Sequence, residues 1–240
     1  MIDHLQELHV EVERVRAAVG DLDAPVPACP NWRVRDLVHH LGSVHRRFRR
    51  VADEGWMQRP PRPDVDDRPA TDDDRVVAWA EEQADLLLGA LARLDPEAPR
   101  WNFSPGPQLG AFIPRRMHHE TAIHRWDLEG VQGTPGTFDD EVASDGVCEY
   151  LEVFLPRSGR WTGAPAVVHT LVVDGPSLEL ELSPDAWPVV RDDPQRKPDA
   201  VVAGTPDRLL LAWWDREPLS ALRRVGDPWV IDEVRRFAHT

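Results

Sequence analysis

The spacing of apolar residues changes abruptly near residue 157, and this change constrains the fold more than any other feature of the chain. Before it, apolar residues recur at intervals of three and four, the period of amphipathic helices. After Pro156-Arg157-Ser158-Gly159 they alternate with polar residues, the period of half-buried strands. The sequence therefore predicts an all-helical domain over residues 1–157, followed by a small α+β domain over residues 158–240.

The first domain is predicted to hold five helices, each carrying a continuous apolar stripe. Prolines and glycines separate them, and Asn31 is a candidate N-cap for the second. A proline-rich acidic loop from Pro61 to Asp74 precedes the third, for which Thr71 and Asp74 are spaced as a capping box. We expect the helices at residues 2–20, 31–51, 71–94, 114–128 and 139–155. Four such helices in up-and-down order would form a four-helix bundle.

The second domain is predicted to begin with a hairpin. Two alternating segments, 166–173 and 177–182, flank Asp174-Gly175-Pro176, which is typical of a tight turn. Further strands are expected at 187–191 and 200–203, and Thr205-Pro206-Asp207 has the residues of a helix N-terminus. This order of elements predicts a small α+β domain.

Charge, hydropathy and cysteine content exclude several classes of partner. The chain has 28 basic and 42 acidic residues, a formal charge of −14, which disfavours nucleic acid and anionic membranes. No stretch approaches the roughly 18 to 20 apolar residues that a membrane span needs, and the N-terminus lacks the apolar core of a signal peptide. Cys29 and Cys148 are too few and too distant to form a disulfide framework. We expect a soluble cytoplasmic protein.

The segment 117–127 in the fourth predicted helix carries most of the chemistry. At about 100° per residue, Glu120 and His124 share one inward face with Asp127, whereas His118 and His119 fall on the flank and back, where solvent is the expected partner. An inward carboxylate needs compensation, and a metal ion would provide it. His119 and His124 lie about 140° apart, so this is not the zinc-protease motif.

The second predicted helix supplies a further imidazole. His40 and His45 lie on opposite rims of its apolar stripe, and His39 points away. Either His40 or His45 could join Glu120 and His124 in a set of three protein ligands with an open position, as in reactive zinc sites. The alternative is that these side chains are satisfied by hydrogen bonds within and between the helices.

Two segments resemble a known family. Asn31-Trp-Arg-Val-Arg-Asp-Leu-Val-His-His-Leu-Gly-Ser-Val-His45 and Arg115 to Gly130 are similar to the DinB-type bundle of mycothiol-dependent maleylpyruvate isomerases. In the tail, residues 200–216 and 225–227 resemble the sterol-carrier-like C-terminal domain of that family. The resemblance implies that His40, Glu120 and His124 bind one divalent metal, usually assigned as zinc.

The same resemblance implies a metal-dependent enzyme that uses mycothiol for cis–trans isomerisation or S-transfer on an electrophilic carboxylic acid. Its partners would be a small thiol and a small acidic substrate, with no nucleic acid or membrane, in a monomer or homodimer. The family also places a tail arginine in its active site, for which Arg216, Arg223 and Arg224 are candidates. The alternatives are a non-catalytic metal-holding or lipid-binding scaffold and a metal-dependent hydrolase.

Overall fold

The computed structural model describes residues 2–61, 68–159 and 161–238, so residues 62–67 of the predicted acidic loop lie outside the described part. The chain forms two compact units. One consists of Met1–Asn102 and Gly106–Gly136, and the other of Phe103–Pro105 and Thr137–Thr240. In the described part, no helix is both long and apolar enough to cross a membrane.

Four helices build the first unit, as the apolar periodicity predicts. They are α1 (His4–Ala18), α2 (Val34–Glu54), α3 (Val76–Leu91) and α4 (Phe112–Val131). Both α1 and α2 pack against α3 and α4, so each helix has two neighbours in the bundle. Helix α4 is buried on almost every side, and this placement decides the environment of its polar residues.

Helix α2 shows how the bundle is held together. Its buried face includes Leu37, Leu41 and Phe48, which bury apolar surface against the neighbouring helices. Gly42 lies on the same helix, where an added Cβ would be 2.5 Å from the Trp79 ring and 3.0 Å from the Ala80 backbone. The missing side chain therefore allows α2 and α3 to approach closely.

Two predicted helix starts are wrong by a few residues. Asn31 has a φ of 70°, which is incompatible with an N-cap, and α2 begins three residues later, where the Asp36 carboxylate accepts from the Arg33 amide. The capping box predicted at Thr71 is also wrong. Helix α3 begins at Val76, because Asp73 instead accepts from the amide of Arg75 in the preceding turn.

The second unit joins helices to a mixed five-stranded sheet. Helix α5 (Asp140–Glu149) continues through a π-helical turn and a 3₁₀ turn to Ser158. The strands are β1 (Ala166–Val172), β2 (Ser177–Leu182), β3 (Val189–Arg191), β4 (Ala200–Gly204) and β5 (Arg223–Gly226). Their order is β3-β2-β1-β4-β5, with β1 and β4 parallel and the other pairs antiparallel. Two helices, α6 (Pro206–Trp213) and α7 (Pro228–Ala238), complete the unit.

The predicted fold class, a helical bundle followed by an α+β domain, is confirmed. The units divide at Gly136, however, earlier than the 157/158 boundary expected from the change of periodicity. The physical reason is that α5 packs against α6, so a segment with a helical apolar period belongs to the unit that contains the sheet. Strand β5 and helix α7 are additions to the predicted elements.

Candidate metal centre

Three ligand-bearing side chains meet between α2 and α4. His40 Nε2 lies 2.9 Å from Glu120 Oε1, and His124 Nε2 lies 3.7 Å from the same oxygen. One potential ligand atom from each of the three residues lies within 4.8 Å of the others. The fold thus brings together all three residues that the family resemblance implies as ligands.

Glu120 divides its two oxygens between different partners. Oε1 faces the imidazoles, and Oε2 accepts a hydrogen bond from the buried guanidinium of Arg116, one helical turn earlier. Burial alone would raise the pKa of Glu120, but Arg116, His40 and His124 together hold that pKa well below its usual range. The carboxylate is therefore ionised at neutral pH, with one oxygen directed at the two histidines.

A hydrogen bond to the ring nitrogen farther from Glu120 fixes the orientation of His124. Its Nδ1 atom lies 2.8 Å from Asp127 Oδ2, and the Asp127 side chain is fully buried. A neutral His124 donates from Nδ1 to this carboxylate, which leaves the Nε2 lone pair facing Glu120. Cys29 Sγ also contacts Asp127 Oδ2, at 3.4 Å. Asp127, which lies on the same helix face as His124, is thus the acceptor for this imidazole.

An indole ring lies beside both imidazoles. Trp32 precedes α2 and packs against His40, with ring centroids 5.0 Å apart, and against His124, at 6.2 Å. His40 and His124 themselves meet edge to face at 5.0 Å. The indole limits solvent access to one side of the cluster and restricts rotation of both rings. Because Trp32 precedes α2, the helical period does not indicate this position beside the imidazoles.

His45, the other candidate on α2, does not join the cluster. Its Nε2 lies 3.0 Å from Thr121 Oγ1, whose hydroxyl donates to the carbonyl of Met117. The hydroxyl must then accept from His45, which places the imidazole proton on Nε2. Burial lowers the pKa of His45 to about 4, so this side chain is neutral and structural.

The expected exposure of His118 and His119 is wrong. Both are buried, with exposed fractions of 1% and 2%. Helical geometry correctly places them away from the Glu120 face, but α1 packs against α4, and the His4 ring of α1 contacts both rings at a steep angle. A face that points away from one neighbour in a bundle is therefore not necessarily a solvent face.

Comparison with known families identifies the helical unit. The family model described as the mycothiol maleylpyruvate isomerase N-terminal domain matches residues 5–129, which is 125 of 240 residues. The chain belongs to the mycothiol maleylpyruvate isomerase N-terminal domain family. Comparison with the curated proteins gives no match.

Two solved structures resemble this chain over most of its length. A crystal structure of a histidine-to-alanine mutant of the mycothiol-dependent maleylpyruvate isomerase has a TM-score of 0.61 and 12% identity, covering 94% of this chain and 93% of that chain. A second structure of the mycothiol-dependent maleylpyruvate isomerase has a TM-score of 0.54 and 13% identity, covering 87% and 86%. At these identities the likeness shows a shared fold.

Arginines near the end of α2 and after it also lie on the side of Glu120. Arg47 follows His40 by seven residues on α2, and Arg68 Nη1 donates to Ser43 Oγ at 3.3 Å, one turn after His40. The pKa of Arg47 is lowered by burial of the guanidinium and by repulsion from Arg59 and Arg68. The negative charge of Glu120 acts in the opposite direction and raises it. Because arginine stays protonated at neutral pH, this group concentrates positive charge near the carboxylate.

The three candidate tail arginines, Arg216, Arg223 and Arg224, belong to the second unit. Arg224 pairs with Asp232 at 3.2 Å, and Arg216 donates to the carbonyl of Trp214. Arg223 lies in β5 and is exposed. Within the helical unit, the guanidinium in direct contact with Glu120 is that of Arg116.

Proposed function

We propose that this protein is a divalent-metal-dependent enzyme that uses mycothiol for cis–trans isomerisation or S-transfer on an electrophilic carboxylic acid. The observation that carries the proposal is the convergence of His40, Glu120 and His124 in a bundle of the mycothiol maleylpyruvate isomerase family. The two solved structures of similar fold are those of a mycothiol-dependent maleylpyruvate isomerase, which supports the cofactor and the reaction class.

The chemistry of the donor set fits a divalent metal, with zinc as the preferred ion. Two imidazoles and one carboxylate are the ligands of several catalytic zinc sites, which keep a fourth position open. Arg116 occupies Glu120 Oε2 and leaves Oε1 for a metal, while Asp127 turns the His124 Nε2 lone pair toward the same point. Partners that orient metal ligands in this way raise their basicity and hold their geometry.

When bound, the metal would lower the pKa of a thiol and stabilise the thiolate at neutral pH. The protein's own residues set up the place where this happens. Trp32 covers both histidine rings on one side and limits access of water. Arg116 offsets the negative charge of Glu120, so the donor set with a divalent ion carries net positive charge, which favours an anionic thiolate.

The acidic substrate is expected to interact with the arginines beside α2. Although the chain as a whole has a charge of −14, Arg47, Arg59 and Arg68 form a local positive group on the same unit as the metal candidate. Guanidinium groups bind carboxylates through paired hydrogen bonds. We therefore assign substrate carboxylate binding to this group, with Arg47 as the residue nearest in sequence to the ligands.

The test is a metal analysis combined with thermal shift and activity measurements on the full chain. Zinc-loaded protein should bind mycothiol with a rise in Tm and isomerise maleylpyruvate or transfer the thiol to an electrophilic acid. His40→Ala and His124→Ala should lose both effects, and His39→Gln, whose ring stacks on Trp79, should keep them.

Two outcomes would overturn the proposal. One is zinc-loaded protein that shows no mycothiol-dependent shift and no thiol-dependent turnover. The other is turnover of esters or amides without added thiol, which would instead assign the centre to a metal-dependent hydrolase.

A further inference from the structure

Three imidazoles outside the candidate metal centre gather where the first turn of α1 meets α4. His4 is the first residue of α1, and His118 and His119 are buried in the middle of α4. His4 Nδ1 lies 3.1 Å from His118 Nδ1, and one ring nitrogen from each of the three residues lies within 4.8 Å of the others. The mechanism proposed above uses none of these side chains.

The spacing of these nitrogens is close to that of zinc ligands. Two nitrogens bound at about 2.0 Å to a tetrahedral zinc ion lie about 3.3 Å apart, close to the separation of His4 and His118. The ring centroids of His4 and His119 are 5.6 Å apart, and those of His118 and His119 are 5.0 Å apart. With one ring nitrogen from each residue within 4.8 Å of the others, the three rings are close enough to share one ion.

We infer that His4, His118 and His119 form a second metal site, which takes a divalent transition-metal ion such as Zn²⁺. Imidazole nitrogen suits zinc, copper and nickel, whereas Mg²⁺ and Ca²⁺ prefer oxygen ligands. Asp3 caps α1 and Glu7 lies in its first turn, so two acidic residues flank His4 and offset the positive end of the helix dipole. His4 is partly exposed and gives the ion a route from solvent.

Binding through both Nδ1 atoms requires a change of tautomer. Without metal, one of the two Nδ1 atoms of His4 and His118 carries a proton and donates to the other. With metal, both Nδ1 atoms present lone pairs, and in the ring that donated the proton moves from Nδ1 to Nε2. No proton is lost to solvent, and both rings stay neutral.

The second site would act as a clamp between α1 and α4. His118 and His119 immediately precede Glu120 on α4, but helical geometry turns neighbouring side chains by about 100°, so the two sets face different neighbours. A metal that binds only the folded arrangement stabilises it by linkage. This ion would thus brace the helix that presents Glu120 and His124 without entering the active centre.

The test is a titration of metal-free, untagged full chain with Co²⁺, followed by visible absorption, and with Zn²⁺, followed by equilibrium dialysis. The wild type should bind two equivalents of Zn²⁺. His4→Gln and His118→Gln should each bind one, His124→Ala should bind one, and the double variant His4→Gln/His124→Ala should bind none with comparable affinity. His9→Gln, an exposed change on the same helix, should keep both equivalents.

Thermal melting distinguishes a loss of folding from a loss of metal binding. Without metal, His4→Gln should have the Tm of the wild type. With zinc, its Tm should rise by less than that of the wild type. The inference is overturned if His4→Gln binds as many equivalents as the wild type. A wild type that binds one equivalent, lost in His124→Ala and kept in His4→Gln, would also overturn it while leaving the proposed enzyme function standing. One equivalent that is lost in His4→Gln and kept in His124→Ala would support the second site and contradict metal binding by His40, Glu120 and His124.

Discussion

His40 Nε2 on α2 and Glu120 Oε1 on α4 lie 2.9 Å apart, although 80 positions separate them in the chain. Both residues are held by helices whose apolar faces pack into the same bundle, so the pair forms only when the tertiary fold does. His40 Nε2 donates this hydrogen bond to the Glu120 carboxylate. A divalent ion at this position would bind the same two atoms once the imidazole proton has moved to Nδ1.

Replacement of Glu120 by glutamine should therefore reduce zinc affinity at this centre. The amide removes the negative charge and one anionic ligand, and the loss should exceed the roughly 10- to 100-fold that removal of an outer partner of a metal ligand costs. Competition with a zinc chelator measures the change. His39→Gln is the matched control on α2, and equal zinc affinity for Glu120→Gln and the wild type would contradict the assignment.

Asp127→Asn should weaken zinc binding by about 10- to 100-fold without removing a ligand. The carboxylate accepts from His124 Nδ1 at 2.8 Å, and a neutral amide would make the imidazole a weaker donor to metal. The same competition assay measures this effect. Cys29→Ser, which alters the other neighbour of Asp127, should have a smaller effect, and an unchanged affinity for Asp127→Asn would show that this contact is only structural.

The part of this site that lies on a single helix can be predicted from the helical period of the sequence. Glu120 and His124 are four residues apart on one helix, so their shared face follows from the helical period alone. The choice between His40 and His45 does not, because both lie on rims of the same apolar stripe. Tertiary packing decides it, by setting Thr121 opposite His45 and Glu120 opposite His40.

Other features of the site depend on which helix packs against each face of α4, and the sequence does not indicate this. His118 and His119 were expected in solvent because periodicity reports a direction and does not report which helix lies there. Arg116 was missed, although its position four residues before Glu120 is the spacing of an intrahelical ion pair and could have indicated it. The two compact units divide at Gly136 and not near residue 157, where the periodicity changes, because α5 has a helical period whichever unit it packs against.

Arg47→Gln should raise KM for the acidic substrate and leave zinc affinity unchanged. The guanidinium contributes to the positive group beside α2, and loss of one partly solvated charge should cost about two- to five-fold in KM. Steady-state kinetics at low ionic strength measure the change, which added salt should diminish. Arg50→Gln, which removes an ion pair with Glu54 on the same helix, should leave KM unaltered. A similar KM for both variants would remove Arg47 from substrate binding.

The buried His45 should make the metal-free protein less stable in mild acid. Its pKa is about 4 in the folded state against 6.5 in the unfolded chain, so between these values the unfolded chain takes up a proton that the folded protein excludes. The free energy of unfolding should fall by about 2 to 3 kcal/mol as the pH drops from above 6.5 toward 4. His45→Gln keeps a donor for Thr121 and should lose this component. Urea unfolding across the range measures it, and parallel pH profiles for the two proteins would contradict the prediction.

The buried ion pair between Arg125 and Glu11 should contribute more to stability than any exposed pair on α1. Arg125 is fully buried on α4, and its guanidinium donates to Glu11 at 2.8 and 3.3 Å and to Glu129 at 2.8 Å. Glu11→Ala leaves the buried cation with one carboxylate, which should lower the free energy of unfolding by about 3 kcal/mol. Glu13→Ala removes the solvent-exposed partner of Arg16 on the same helix and should cost less than about 1 kcal/mol. Urea unfolding at neutral pH compares the two variants, and equal losses would mean that Glu129 alone compensates the charge of Arg125.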